Sequence, residues 1–179
     1  MSIVTKTGDK GRTRLLSGEE VGKAETRLEV FGTVDELCAH LGLARSLIED
    51  ASLAGEVRAL TVDLFRVGAE LASNSPEKQA WIERTEERHV ARIDSLIAAL
   101  ESEIELPRSF IVPGATAASA ALDVARTVAR RLERRVAELA EGGGYANPQG
   151  VIYLNRVSDY IFLLARAAEK RAGVSFDAK

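Results

Sequence analysis

Apolar side chains recur every three or four residues along most of this chain, which is the spacing of one face of an α-helix. A first such stripe extends over about residues 24–49 and contains Leu28, Phe31, Leu37, Leu41, Ala44 and Ile48. A second stripe covers residues 57–71 and ends at the polar residues 73–76, and a third covers about residues 78–103. A fourth helix is predicted over about 115–140, closed by the glycines 142–144, and a fifth over about 148–171.

The first 22 residues are rich in Gly, Thr and Lys and lack a helical stripe, so they predict a loop, with room for short strands. Five helices joined by mostly short connections predict an all-α fold, a four-helix-bundle core with one extra helix. The length of 179 residues suits one domain, with residues 1–22 as the loop and 23–179 as the bundle. Hydrophobic residues make up 46% of the chain but aromatic residues only 5%, which also favours closely packed helices.

The charge balance and the few potential metal ligands exclude several classes of function. A formal net charge of −3 gives no general attraction to nucleic acid or to anionic membranes. Cys38 is the only cysteine, and the two histidines lack metal-ligand spacing, so neither a disulfide nor a cysteine-rich zinc site is expected. No apolar run approaches the roughly 18 residues of a membrane span, and no signal-peptide pattern is present. We therefore expect a cytoplasmic protein.

The most unusual local pattern is ARTVARRLERRV, residues 125–136, in the fourth predicted helix. Its spacing places Arg126, Arg130, Glu133 and Arg134 on one stripe, where like charges four residues apart repel each other. One interpretation is a solvated face whose charges are balanced by neighbouring acids. The other is a polyanion site, because guanidinium groups bind phosphate oxygens bidentately.

Three other segments carry polar residues that favour a ligand site but also fit a structural role. Residues 5–11, TKTGDKG, offer the glycines, hydroxyls and lysines of a phosphate-binding loop without being a P-loop. Asn155 and Asp159 lie one turn apart in the fifth predicted helix, as in a ligand site or a buried polar network. Asp35 fits an ordinary helix charge, and Phe110 fits a loop anchor that packs on the core.

Five segments taken together resemble the signature blocks of PduO-type ATP:cob(I)alamin adenosyltransferases, in the family's order and at compatible spacing. They are TKTGDKGRTRLLSG, VFGTVDEL, SFIVPG, ARTVARRLERRV and YLNRVSDYIFLLAR. The resemblance implies a five-helix bundle that forms a homotrimer with active sites between subunits. It also implies transfer of the 5′-deoxyadenosyl group of ATP to the cobalt of cob(I)alamin or a related corrinoid, with Mg²⁺ on the triphosphate. A reductase or an enzyme that uses adenosylcobalamin is an expected further partner.

The resemblance also assigns roles to individual residues. The ATP-binding side would consist of Thr5, Lys6, Thr7, Gly8, Thr13, Arg14 and Lys23, faced by Arg130, Arg131, Glu133, Arg134 and Asn155. Asp35 and Arg126 match a pair that bridges subunits near the corrinoid. Phe110 matches the aromatic side chain that covers the lower face of cobalt. Asp35, Arg126, Phe110 and Arg130 are therefore the expected catalytic residues.

Asp123 departs from the family pattern, which commonly has histidine at this position. A carboxylate one turn before Arg126 is expected to pair with it and to compete with Asp35. Because this departure affects the corrinoid side, a nucleotide-binding sensor bundle without turnover remains the alternative function.

Overall fold

The computed structural model describes Val4, residues 6–73 and residues 80–177. The chain forms two short strands and five helices: β1 (Arg12–Arg14), β2 (Glu20–Gly22), α1 (Thr26–Leu47), α2 (Ala51–Leu71), α3 (Glu87–Glu103), α4 (Ala117–Glu141) and α5 (Pro148–Arg171). The all-α fold predicted from the sequence is confirmed. The predicted ends of the fourth and fifth helices agree with α4 and α5 to within two residues.

The helices form a ring with one helix outside it. Helix α1 packs on α2 and α4, α5 packs on α4, and α2 and α5 also touch, which closes a four-helix ring. Helix α3 packs on α5 and is the extra helix of the predicted bundle. A continuous apolar core built mainly from Leu, Val, Ile and Ala fills the centre.

Helix α4 begins and ends where its sequence predicts. Thr116 caps the first turn by accepting from the backbone N–H of Ser119, and the Ser119 hydroxyl accepts from the Thr116 N–H. This reciprocal pair satisfies two backbone donors that a helix start leaves free. At the other end Gly143 has a φ of +74°, which glycine adopts without a steric penalty. The glycines therefore end α4 and turn the chain into α5.

The strands β1 and β2 form an antiparallel hairpin in the N-terminal segment, with Thr13 opposite Val21. A tight turn joins them, in which the Leu15 N–H donates to the Glu19 carbonyl and Gly18 has a φ of +83°. Val21 and Leu15 are buried and fix the hairpin to the bundle. The predicted loop therefore contains a small sheet. Thr5 and residues 1–3 lie outside the described residues.

The third helix begins at Glu87, nine residues later than the predicted start at residue 78. The predicted end of the second helix, residues 73–76, and the start at residue 78 fall mostly outside the described residues. Residues 80–86 are not helical, because the Thr85 N–H and hydroxyl both donate to the buried Glu70, at 2.7 and 2.8 Å. Glu86 and His89 then form a reciprocal cap that starts α3. Tertiary contacts to Glu70 therefore override the helical pattern of this segment.

The first predicted helix also differs from the structure in which residues face the core. Val30 and Val34 are buried at the start of α1, whereas Phe31 is only partly buried and lies in an exposed groove. The apolar stripe predicted from Leu28 and Phe31 is therefore displaced in the first turns. From Leu37 to Ala44 the predicted stripe is correct.

Glu70 is a buried carboxylate, 1% exposed, that joins three separate segments at one end of the bundle. Besides the two bonds from Thr85, it accepts from the Tyr145 hydroxyl at 3.0 Å and from Asn147 Nδ2 at 2.6 Å. Tyr145 and Asn147 belong to the connection between α4 and α5. Buried carboxylates persist only where such donors replace water.

Arg27 holds the same end of the bundle through backbone carbonyls. Its Nη1 donates to the carbonyls of Leu71 at 2.7 Å and Ser73 at 3.1 Å, and its Nη2 donates to the carbonyl of Gly144. The first two carbonyls end α2, and the third follows α4. A cation is favourable there because the last carbonyls of a helix have no partner within the helix.

Within the described residues, no helix is long and apolar enough to cross a membrane.

Replacing Glu70 with glutamine tests the importance of this buried carboxylate. Glu70→Gln replaces one of the two acceptor oxygens with an NH₂ group, which cannot accept from the surrounding donors. We therefore expect a loss of about 3 kcal/mol in the free energy of unfolding. Urea unfolding followed by circular dichroism measures it. The exposed Glu138→Gln serves as control and should stay within about 0.5 kcal/mol of the parent. Equal stability of the two variants would contradict the role of Glu70.

Candidate functional site

The N-terminal segment forms an open cleft of about 810 Å³ that is lined by polar and charged residues, more of them basic than acidic. Its lining residues are Lys6, Thr7, Asp9, Lys10, Arg12, Thr13, Arg14 and Glu20. Four cations therefore face two carboxylates. Arg12 is the most restrained cation, since its Nε donates to Glu20 Oε1 at 2.6 Å, and Arg14 lies 3.9 Å from the same carboxylate. The cleft has the charge and the hydroxyl groups to hold an anion.

Lys23 lies across Gly8 at the base of this segment. A Cβ atom placed on Gly8 would lie 2.8 Å from Lys23 Nζ, so any larger residue would displace the ammonium group. The Lys23 N–H donates to the Gly11 carbonyl at 2.9 Å, and Gly11 has a φ of +74°. Lys6 also has a positive φ, 59°, which is uncommon for a residue with a side chain. The structure thus brings together Lys6, Thr7, Gly8, Thr13, Arg14 and Lys23 as predicted, while Thr5 lies outside the described residues.

The arginines of α4 divide into two rows with different partners. Arg131 donates to the Glu36 carboxylate of α1, and Arg135 Nη1 lies 2.7 Å from Glu29 Oε2. Arg130 and Arg134 are exposed, and neither has an ion pair or side-chain hydrogen bond to any residue that the structure describes. One row therefore attaches α4 to α1, and the other presents uncompensated charge to solvent.

A chain of polar contacts lies beside the exposed arginine row. Asn155 Nδ2 donates to Glu133 Oε1 at 2.8 Å, linking α5 to α4. Asn155 Oδ1 accepts from Arg156 Nη1 at 2.7 Å, and Arg156 Nε donates to Asp94 Oδ1 at 3.0 Å. The structure therefore places Glu133 and Asn155 together, and their role as joint ligand residues stays a prediction. Asp159 is exposed and belongs to no hydrogen bond described here.

Arg126 pairs with Asp123 as the sequence predicts. Arg126 Nε donates to Asp123 Oδ1 at 2.9 Å, and the other oxygen of Asp123 accepts from Arg166 Nη2 at 2.7 Å. Arg166 and Glu169 of α5 are buried charges that the sequence analysis did not single out. Their signal was available, because an arginine and a glutamate three residues apart interrupt an otherwise apolar run in YIFLLARAAEK.

Asp35 and Cys38 border a shallow groove of about 460 Å³ between the hairpin, α1 and α2. Asp35 itself is exposed. The groove is largely apolar and includes the exposed side chains of Leu16 and Phe65. Asp35 has no hydrogen bond or ion pair to Arg126 among the contacts that the structure describes.

Phe110 is 91% exposed in the connection between α3 and α4. The interpretation of this residue as a loop anchor packed on the core is therefore wrong. The connection is held nearby through the Val112 N–H, which donates to the Asp177 carbonyl at 2.7 Å. The ring of Phe110 therefore lies in solvent and not in the core.

The cleft and the exposed arginine row belong to different parts of one chain. Neither β1 nor β2 packs on α4, and the described polar contacts include none between the cleft and Arg130 or Arg134. No cluster of three or more potential metal-binding side chains occurs in the part of the chain that the structure describes. The fold and site thus define a helical bundle with two separate basic surfaces, one on a glycine-rich hairpin and one on a helix.

The comparisons identify the family. A sequence profile of the family described as cobalamin adenosyltransferase matches residues 3–168. The corrinoid adenosyltransferase PduO of Salmonella typhimurium is 39% identical over 96% of this chain, which spans about half (51%) of that protein. A corrinoid adenosyltransferase of Citrobacter freundii is 38% identical, with 93% of this chain and 94% of that protein covered.

Solved structures agree with the sequence comparisons. A variant of the PduO-type ATP:corrinoid adenosyltransferase from Lactobacillus reuteri, complexed with cobalamin and ATP, superposes with a TM-score of 0.90, 30% identity and 99% of both chains covered. A second variant of that enzyme, complexed with ATP, gives a TM-score of 0.89 at 32% identity. This chain belongs to the cobalamin adenosyltransferase family, and the resemblance of its five segments to PduO-type enzymes is confirmed.

The buried thiol of Cys38 offers a direct probe of the groove beside Asp35. Burial, together with the Asp35 carboxylate, raises the pKa of Cys38 to about 11. At pH 8 only about one thiol in a thousand is then ionised, against roughly one in four for a free thiol. We expect a disulfide exchange reagent to react with the native protein on the order of a hundred times more slowly than with the urea-unfolded protein. The reagent releases a coloured thiol as it reacts, and because Cys38 is the only cysteine, the absorbance reports this residue alone.

Asp35→Asn removes the smaller cause of the raised pKa and should speed the native reaction, since burial alone then opposes ionisation. A native thiol that reacts as fast as the unfolded one would contradict the buried placement of Cys38.

Proposed function

We propose that this chain transfers the 5′-deoxyadenosyl group of ATP to the cobalt of cob(I)alamin or a related corrinoid, releasing triphosphate. The family membership bears out the predicted activity, adenosyl transfer from ATP to a corrinoid. The structural observation that carries the proposal is the exposed row of Arg130 and Arg134, whose charges have no described carboxylate partner, beside the Glu133–Asn155 pair.

Triphosphate binding explains why these two arginines remain uncompensated. Like charges one helical turn apart destabilise α4 slightly, so stability alone does not favour the row. Phosphate oxygens accept bidentate hydrogen bonds from guanidinium groups, and these bonds are stronger than those between neutral groups. We assign Arg130 and Arg134 to the triphosphate. Arg131 attaches α4 to α1 through Glu36, and we propose that its remaining donors also reach the triphosphate.

The oxygen ligands beside the row fit Mg²⁺ carried by the nucleotide. Mg²⁺ binds through one or two carboxylates together with substrate phosphates and water. Glu133 has one oxygen bound to Asn155 and a second oxygen outside that bond. Bound there, Mg²⁺ would neutralise negative charge on the phosphates. Glu133 is therefore the residue that would hold it, and Asn155 would orient that carboxylate.

We propose that the complete site forms between copies of the chain, in a homotrimer. The cleft with Lys6, Thr7, Gly8, Thr13, Arg14 and Lys23 would hold ATP from one subunit, with Thr5 beside it. The arginine row of the neighbouring subunit would complete the site, since the two surfaces do not meet within one chain. Asp35 of one subunit and Arg126 of another would form a bridge beside the corrinoid.

The chemistry requires positioning and charge stabilisation from the protein. The cobalt of cob(I)alamin is the nucleophile: its electron pair forms the bond to C5′ of ATP as the C5′–O bond breaks, and the electrons of that bond leave with the triphosphate. Arg130, Arg134 and Lys23 stabilise the departing charge. Phe110 presents a ring that cannot coordinate cobalt, so it would occupy the lower axial side.

A reductase that supplies cob(I)alamin, or an enzyme that uses the product, is a proposed partner, and a cytoplasmic location remains a prediction from the sequence.

An assay with ATP, Mg²⁺ and chemically reduced cobalamin tests the activity, because adenosylcobalamin has its own absorption spectrum. We expect Arg130→Ala to lower kcat/KM for ATP by roughly 10- to 150-fold, the equivalent of about 1.5 to 3 kcal/mol for a lost charged hydrogen bond. Arg58→Ala removes another exposed arginine, from α2, and should retain parental kinetics. Nucleotide binding without any adenosylcobalamin would instead favour the sensor function, and parental kinetics in Arg130→Ala would contradict the phosphate assignment.

Phe110→Ala should affect an assay that starts from cob(II)alamin differently from one that starts from cob(I)alamin. Because Phe110 is exposed, the variant should fold normally and bind ATP as the parent does. We expect a large loss of rate when the assay starts from cob(II)alamin with a reductant, and a smaller loss with chemically prepared cob(I)alamin, which needs no displacement of its lower ligand. Equal losses in both assays would show that the ring does not act on the lower face of cobalt.

A further inference from the structure

Asp123 is a buried carboxylate shared by two arginines from different helices. The residue is 5% exposed. Its Oδ1 accepts from Arg126 Nε on the next turn of α4, at 2.9 Å, and its Oδ2 accepts from Arg166 Nη2 on α5, at 2.7 Å. Both oxygens therefore have a charged donor, and neither faces bulk solvent.

Arg166 fixes the position of Asp123. Arg166 is 1% exposed, and besides Asp123 it contacts Glu169, with Nη2 at 3.0 Å from Oε1 and Nε at 2.9 Å from Oε2. Its guanidinium carbon lies 5.1 Å from the centre of the Phe162 ring, within the range of a cation–π contact. Two acids and two arginines together balance their formal charges, which buried ionised groups require.

Arg126 is the only member of this cluster that reaches solvent, with its side chain 25% exposed. Asp123 engages only the Nε edge of its guanidinium. The two terminal nitrogens have no partner among the described residues, and they form the end-on fork that binds a carboxylate with two parallel hydrogen bonds. The arginine is thus fixed on one edge and available on another.

We propose that Asp123 is a positioning residue: it holds Arg126 by Nε so that the terminal fork points outward to a carboxylate of a second copy of the chain. Asp123 and that carboxylate bind different edges of one guanidinium, so they do not compete, contrary to the expectation from sequence. The proposal rests on the proposed function in one respect, namely that the outward partner is Asp35 beside the corrinoid. A fixed arginine loses less side-chain freedom on binding than a free one does.

Corrinoid kinetics of Asp123→Asn test the proposal. Asparagine keeps the shape of the side chain, but its NH₂ group cannot accept a hydrogen bond and would face one of the two arginine donors. We expect KM for the corrinoid to rise roughly tenfold, while KM for ATP stays within about twofold. Thr116→Ala is the control for destabilised α4, because it removes the helix cap without touching the acid–arginine cluster. It should lower the melting temperature and leave the ratio of the two KM values unchanged.

A double-mutant cycle shows whether Asp123 acts through Arg126. Arg126→Ala alone should raise the corrinoid KM at least as much as Asp123→Asn, and the two changes combined should add little to Arg126→Ala. Additive effects of the two changes would overturn the positioning role. An unchanged corrinoid KM in a folded Asp123→Asn variant would also overturn it, provided that Arg126→Ala raises that KM. An unchanged KM in Arg126→Ala would instead overturn the placement of Arg126 at the corrinoid, which belongs to the proposed function.

Arg126→Lys keeps the test decisive if Asp123→Asn does not fold. An ammonium group has no separate edges, so it cannot serve Asp123 and an outward carboxylate with the same fixed geometry. We expect Arg126→Lys to resemble Arg126→Ala in its corrinoid KM. Parental corrinoid kinetics in Arg126→Lys would show that only the charge matters and would overturn the proposal.

Discussion

The burial of the Glu70 carboxylate is the constraint on which the rest of the bundle depends. Donors from Thr85, Tyr145 and Asn147 compensate this buried charge, together with Arg84 Nε at 3.7 Å from Glu70 Oε1, so the end of α2, the approach to α3 and the α4–α5 connection are held together. Arg27 adds the carbonyls of Leu71 and Gly144 to the same end. Together these contacts fix how α4 enters α5, and that geometry in turn brings Asn155 to Glu133.

Helix α4 combines a structural role with the proposed binding role because its arginines fall on different faces. Arg131 and Arg135 point to carboxylates of α1, whereas Arg130 and Arg134 point to solvent. Arg130 and Arg131 are consecutive residues, so a rotation of about 100° around the helix axis separates an arginine that attaches two helices from one without a described partner. Arg126, one turn before Arg130, combines the two roles, because one edge of its guanidinium is bound by a buried acid and the other remains open.

Sequence periodicity predicted the class of fold and the limits of α4 and α5, because these follow from spacing within one helix. The grouping of Glu133 with Asn155 came from the resemblance to the family, since the two residues lie on different helices. Sequence periodicity also predicted that Asp123 pairs with Arg126, which are one turn apart. It could not predict the late start of α3, because that depends on Thr85 donating to Glu70 fifteen residues earlier. Nor could it predict that Arg131 pairs with Glu36 while Arg130 does not, since the choice depends on how α1 packs on α4. The exposure of Phe110 likewise follows from tertiary structure and not from the local pattern.

The two arginine rows of α4 should have different histories among related proteins. Arg131 pairs with Glu36, and Arg135 pairs with Glu29. Both members of a pair can change in the same lineage, because reversing both charges or replacing both residues with apolar ones keeps the two helices in contact. Arg130 and Arg134 have no such partner within the described chain, so no compensating change elsewhere in the bundle can replace them. Covariation with α1 would therefore mark the attaching row, and independence from α1 would mark the row that we propose to bind the triphosphate.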